Sequence, residues 1–361
     1  MNKKNLSSVE VAALVQELQI LVGGKLPQMY HQVDKEFLFQ FHVPRLGKIL
    51  LKVIPGKFLC LTRKKEVPLT PSSFCMQLRK YLDNAYVKAV YQKDSERIIV
   101  LELEKEQVYH LIIELYSKGN IILTDASYRI IGALEQQTWK DRFIKVGLEY
   151  KFPASLANWK TITGKQLLGL LVRSAAKNLA TSLATDMGLG GVYAEDLCRR
   201  AQVDKDKLPA AVEVEEGKAL MKGLQEMRTL LQKPNGHIYT EQITPFPLQR
   251  SEPVIITPTY NEAIDTLNPY TIISPYEKKI RTMEKMISSQ EESISSLKEK
   301  IEVNSNKGER IYEHYAPLHR LLEIVKELRK TKDWKDVEQE LRKEKKIRQV
   351  DLKNKRITID L

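Results

Sequence analysis

The greatest chemical capacity in the shortest stretch of this chain lies in Glu96-Arg97, set between Ser95 and Ile98. A guanidinium can grip a phosphate or stack on a base, while the neighbouring acid orients it or accepts from a base amine. The same pair is equally readable as a strand-edge ion pair of little energetic weight. Arg79 and Lys80 place two cations in the otherwise apolar run Phe74-Cys75-Met76-Gln77-Leu78-Arg79-Lys80-Tyr81-Leu82, where Phe74 and Met76 read as core. Glu10, in Ser7-Ser8-Val9-Glu10, is an acid placed for binding or the closing member of a capping box. In Asp186-Met187-Gly188-Leu189-Gly190-Gly191, Gly188 and Gly190 permit a tight bend. Its exposed amides, at the start of the next helix, can hold a phosphate; a plain helix connection would need the same glycines.

Bond-making chemistry finds no support. The six histidines, at 31, 42, 110, 237, 314 and 319, lack partners at ligand spacing, and His314 and His319 are five apart with Pro317 between them. Cys60, Cys75 and Cys198 are isolated, which argues against a disulfide framework or a zinc site and fits a reducing compartment. Phosphate-loop, nucleophile-elbow and dinucleotide-binding signatures are missing. No catalytic residue, metal or cofactor is expected.

The elements that must position these residues change character along the chain. Val11, Leu14, Val15, Leu18 and Leu21 recur at helical spacing after the Ser7 cap, and Gly23-Gly24 ends that helix. Strand-like runs follow at 37–43, 48–53 and 57–62, and again at 87–92, 97–103, 110–115, 120–124 and 130–134, with the Arg79-Lys80 helix between the groups. Residues 1–155 therefore read as an α+β domain built on a β-sandwich. Residues 156–232 carry leucines at helical intervals and form a helical domain. Residues 233–275, rich in proline, read as a connecting strap of short strands that packs back on the first two domains. From Tyr276 the positions Ile280, Met283, Ile287, Gln290, Ile294, Leu297 and Ile301 form a heptad seam, giving a coiled-coil helix over 276–306. Asn304-Ser305-Asn306-Lys307-Gly308 is expected to interrupt it. A middle segment over 307–361 follows, with a second helical stretch, Trp334-Lys335-Asp336-Val337 and a closing hairpin turning at Lys353-Asn354-Lys355.

A net charge of +12, spread over residues 1–275 and 276–361 alike, favours a polyanionic partner. No run of 18 apolar residues and no secretory leader pattern is present, so a cytoplasmic protein with no membrane partner is expected.

Taken in order, Phe74–Leu82, Ser95-Glu96-Arg97-Ile98 and Glu114-Leu115-Tyr116-Ser117-Lys118-Gly119-Asn120-Ile121-Ile122-Leu123-Thr124-Asp125 resemble the NFACT family. These are the RqcH-like and NEMF-like ribosome quality-control factors, also known as fibronectin-binding A proteins, and the wording is similar to archaeal members. The resemblance implies a sandwich like that at the N-terminus of formamidopyrimidine-type DNA glycosylases, then a helix-hairpin-helix domain and a coiled coil. It implies binding to the large ribosomal subunit obstructed by peptidyl-tRNA, with tRNA recruited, alanyl-tRNA in prokaryotic members, for template-independent extension of the stalled chain. The family's tRNA-handling acid and Asp-Arg dipeptide match Glu10 and Glu96-Arg97, glutamate standing in both places where the family usually has aspartate. RNA contact is thus expected at Glu10, Arg79, Lys80, Glu96, Arg97, Gly188 and Gly190, with Arg79 and Lys80 on the same face. Full members continue through a returning helix into an RNA-binding domain that this chain does not contain, leaving the heptad helix open to self-association. A DNA glycosylase and a fibronectin-binding surface protein are the alternatives, disfavoured by Asn2-Lys3 in place of an N-terminal proline and by the missing leader.

Overall fold

Ser7 and Glu10 close a reciprocal capping box: the Ser7 hydroxyl accepts from the Glu10 amide (3.3 Å) and the Glu10 carboxylate accepts from the Ser7 amide (2.7 Å). Two orphan donors are satisfied at once, and helix α1 (Ser8–Glu17) starts there. The computed structural model describes residues 5–31, 35–65, 71–138, 142–154, 157–250, 252–267, 275–341, 347–351 and 356–359. These divide into two compact units near residue 271.

In the first unit the strands make one continuous antiparallel sheet. They are β1 (Lys25–His31), β2 (Phe37–Val43), β3 (Gly47–Ile54), β4 (Phe58–Thr62), β5 (Ala85–Gln92), β6 (Ile98–Glu104), β7 (Val108–Glu114), β8 (Asn120–Asp125) and β9 (Ile130–Ala133), in the order β4-β3-β2-β1-β5-β6-β7-β8-β9. The two halves of this sheet, β1–β4 and β5–β9, are meanders sharing only the pairs Lys25↔Tyr86 and Leu26↔Ala85. Their far turns meet: the Gly56 amide donates to the Glu114 carbonyl (3.0 Å), and a Cβ on Gly119 would lie 1.8 Å from the Gly56 nitrogen. Only glycine permits that approach. Strands β6 to β8 are buried on both faces, one carrying Ile98, Val100, Ile112 and Ile122, the other Ile99, Leu101, Leu111 and Ile113. Their sequences consequently read as apolar runs and not as alternation. Helix α2 (Ser73–Leu82) packs on β1 and β9 and buries Phe74, Cys75, Leu78 and Leu82. Met76, read as core, is instead half-exposed, because it lies off that stripe.

After the short pair β10 (Gln137–Thr138) and β11 (Phe143–Ile144) come four helices. They are α3 (Gly164–Arg173), capped by Thr163, α4 (Leu179–Thr185), capped by Asn178, α5 (Gly191–Ala201) and α6 (Val214–Leu230). Helix α4 packs on α5, and α6 on both α5 and α3. The proline-rich stretch forms a three-stranded sheet of β12 (Gly236–Ile238), β13 (Ile243–Thr244) and β14 (Ile255–Thr257), ordered β13-β12-β14, followed by α7 (Tyr260–Leu267). Helix α7 was not expected. It packs on β4 and α1, and the Glu17 carboxylate accepts from the amides of Tyr260 (2.6 Å) and Asn261 (2.8 Å) at its first turn.

The second unit holds α8 (Pro275–Glu313), α9 (Tyr315–Thr331), α10 (Trp334–Leu341) and the hairpin β15 (Ile347–Asp351) and β16 (Arg356–Ile359). The expected interruption at Asn304–Gly308 does not occur: α8 is continuous for 39 residues. The polar residues there face solvent, where a moderate propensity cost does not break an established helix. The break falls at His314, followed by Pro317 in the first turn of α9, where a missing amide hydrogen costs nothing. Val325, Val337 and Leu341 form a small core with Leu321, Trp334 and Ile357 around them. The expected turn at Lys353-Asn354-Lys355 lies outside the described residues.

Candidate nucleic-acid interface

Three segments far apart in sequence line one cleft of about 610 Å³ in the first unit. They are the entry to α1 (Asn5 to Ser8), the β5–β6 turn (Ser95, Glu96, Arg97), and the α4–α5 turn (Ala184 to Gly190). Of the expected site residues, Glu96, Arg97, Gly188 and Gly190 therefore come together. Arg79 and Lys80 do not line this cleft.

Arg97 is half-buried, and burial pulls its guanidinium down from the ordinary arginine range while Glu96 and Tyr116 oppose the change. Among the described residues that guanidinium has neither a hydrogen bond nor an ion pair. A desolvated cation without an acceptor is costly, and an incoming anion relieves the cost. Opposite it, Gly188 (φ +74°) and Gly190 (φ +84°) occupy the left-handed region that favours glycine. The turn is closed by the amides of Leu189 to the Leu183 carbonyl (3.3 Å) and Gly190 to the Ala184 carbonyl (3.1 Å). Gly190 starts α5 with no side-chain cap, so the amides of Gly191 and Val192 keep their donors for an outside acceptor. Asp186 also borders the cleft. Hydroxyls of Ser174, Ser182 and Thr185 hold its carboxyl below the usual range.

Glu10 is only 1% exposed, so it is not a surface contact. Besides the Ser7 amide it accepts from the Tyr193 hydroxyl (2.8 Å), joining α1 to α5 across 183 residues. One buried carboxylate thus caps α1 and ties it to α5. Arg79 is committed elsewhere: Nε (3.0 Å) and Nη2 (2.6 Å) both donate to the Met29 carbonyl, and the guanidinium lies over the Tyr30 ring (5.6 Å). Lys80 is exposed on α2, its Nζ 5.5 Å from the centre of the Tyr81 ring.

Sequence reasoning missed the residues beneath the cleft. The Ser8 hydroxyl donates to the Ser95 carbonyl and accepts from Trp159 Nε1 (2.8 Å); Gln92 Nε2 donates to the carbonyls of Ser8 (3.0 Å) and Glu96 (2.8 Å). Only Ser8 had a local signal, its place in the capping box. Among the described residues no cluster of His, Cys, Asp or Glu can hold a metal ion. The three cysteines are buried and unpaired, burial pushing Cys60 to about 12 and Cys198 to about 11. No described helix is long and apolar enough to cross a membrane.

A family model described as the NFACT N-terminal and middle domains matches residues 7–355. The archaeal Rqc2 homologue aRqcH of Methanocaldococcus jannaschii is 27% identical over 373 residues, covering 95% of this chain and 55% of that protein. Subunit 2 of the ribosome quality control complex of Saccharomyces cerevisiae is 35% identical over 153 residues, covering 41% of this chain and 14% of that protein. The chain spans about half the length of the archaeal relative. Among solved structures, the N-terminal part of the fibronectin/fibrinogen-binding protein from Streptococcus suis superposes with a TM-score of 0.60 at 21% identity, covering 73% of this chain and 98% of that one. That likeness is one of fold.

Proposed function

The chain belongs to the family of the NFACT N-terminal and middle domains, and from that premise we propose that it is the tRNA-handling part of a ribosome quality-control factor. It binds the large ribosomal subunit obstructed by peptidyl-tRNA and recruits a further tRNA, alanyl-tRNA by analogy with prokaryotic relatives, so that the ribosome extends the stalled chain without a template. The reading is supported above all by Arg97, a half-buried guanidinium without an acceptor, facing a cleft whose other wall is an uncapped helix start. Arg97 takes a phosphate of the RNA, the first amides of α5 take a neighbouring one, and Glu96 orients the guanidinium. In this reading α4, the glycine turn and α5 act as a helix-hairpin-helix module. Lys80 adds a peripheral phosphate contact, and Arg79 and Glu10 hold the framework in place. The protein supplies no bond-making group; peptide transfer belongs to the ribosome. It works in the cytoplasm, and α8 pairs as a coiled coil.

Crosslinking and sequencing of RNA bound to the full-length protein tests this directly. Large-subunit rRNA and tRNA are enriched, and Arg97→Ala loses the tRNA fraction. In a salt titration of tRNA binding, the same variant lowers the slope of log K against log salt by about one. Equal tRNA recovery and an unchanged slope would remove Arg97 from the site and the reading with it.

A further inference from the structure

The β5–β6 turn and the α4–α5 turn both line the cleft, and both meet the entry to α1. Toward the hairpin, Glu10 accepts from the Tyr193 hydroxyl (2.8 Å), and a Cβ on Gly190 would sit 3.3 Å from the Ser7 Cβ, so the glycine turn rests directly on the cap of α1. Toward the cation, the Ser8 hydroxyl donates to the Ser95 carbonyl, and Gln92 ties the Ser8 carbonyl to that of Glu96 (3.0 and 2.8 Å). Tyr193, Glu10, Ser8 and Gln92 are each less than a tenth exposed. A buried hydrogen bond to a carboxylate is short and directional, and a connected set of them has few alternative arrangements.

We infer that Tyr193 and Ser8 are positioning residues for RNA binding: through Glu10 and the β5–β6 turn they fix the distance between the Arg97 guanidinium and the amides at the start of α5. The inference rests on the proposed function, which makes those two groups the phosphate contacts. It adds that affinity depends on a buried bond between α1 and α5 that takes no part in the phosphate contacts. Tyr193 is the third residue of α5, so losing its hydroxyl lets the helix start turn or slide by the fraction of an ångström that a phosphate bridged between two fixed donors does not tolerate.

The test is a double-variant cycle read by fluorescence anisotropy with a labelled alanine tRNA transcript, using Tyr193→Phe, Arg97→Ala and the combination. Tyr193→Phe is expected to weaken binding about fivefold with its melting temperature lowered by only a few degrees, and to have no further effect on binding once Arg97 is alanine. Should Tyr193→Phe fold poorly, Ser8→Ala carries the same expectation from the other wall. Binding by Tyr193→Phe equal to the parent, or equal losses with and without Arg97, overturns the positioning role while the proposed function stands. If Arg97→Ala itself binds as the parent does, the proposed function falls first.

Discussion

At the scale of single residues, the molecule separates cations that do structural work from cations that wait. Arg79 spends its fork on one backbone carbonyl, and Arg200 spends its own on Asp196 (2.7 Å) and the Pro247 carbonyl (2.7 Å). Lys160 belongs to the other class. Burial pulls its ammonium down to about 8, Asp94 opposes the shift, and among the described residues Nζ has no hydrogen bond or ion pair. In the unfolded chain a lysine titrates near 10.4. Across the window from pH 8 to that value the unfolded state therefore binds more protons than the folded one, and stability rises with pH; below pH 8 the full burial cost is felt. Lys160→Met should raise the melting temperature at pH 7 and flatten the gain between pH 8 and pH 10. Thermal unfolding at both ends of the window decides, and a variant that keeps the parent's pH dependence removes Lys160 as its source.

At the scale of elements, what the sequence made legible and what it hid follow from where each signal resides. The strands from Phe37 to Ala133 and helices α1 and α2 announce themselves locally, through Pro-Gly punctuation, β-branched runs and the Ser7 and Ser72 caps. Strand β1 was hidden because Lys25-Leu26-Pro27-Gln28-Met29-Tyr30-His31 has little β-branched content; its hydrogen bonds to β2 and β5 impose the conformation. Helix α7 had a local mark, Thr259 accepting from the Glu262 amide (3.1 Å), yet its stronger cap is Glu17, from another element. The cleft behaves similarly. Its chemistry-bearing dipeptide and glycines were readable, whereas the bonds from Ser8, Gln92, Trp159 and Tyr193 span up to 183 residues and no spacing rule predicts them. A comparable long-range tie joins β7 to the loop after β10. Arg142 donates to Glu114 Oε1 (2.5 Å) and to the Tyr116 hydroxyl (2.6 Å), and the Tyr150 hydroxyl donates to Glu114 (2.8 Å). Glu114 is 2% exposed, so Arg142→Ala leaves a buried charge without its cation and should cost about 3–5 kcal/mol. Urea unfolding measures it. A loss below about 1 kcal/mol would mean that the carboxylate regains solvent or a proton cheaply.

At the scale of the whole molecule, burial is distributed unevenly between the two units. The first unit wraps β6 to β8 in apolar side chains on both faces, each full burial contributing about 1.5–3 kcal/mol. The second has Val325, Val337 and Leu341 as its buried apolar residues among those described, while along α8 the seam residues Ile280, Met283, Ile287, Ile294, Leu297 and Ile301 are 52–68% exposed. A helix of 39 residues propagates its own hydrogen bonds, but where its described seam residues are exposed its turns open one at a time and not with the fold. Amide hydrogen exchange on the full chain at low micromolar concentration should therefore show α8 exchanging orders of magnitude faster than Ile98–Glu104 and Val108–Glu114. Raising the protein concentration separates two states of that helix. Protection growing in step at Ile287 and Ile294 marks pairing of the seam between copies, and α8 amides as slow as those of β7 at every concentration would contradict the exposed seam altogether.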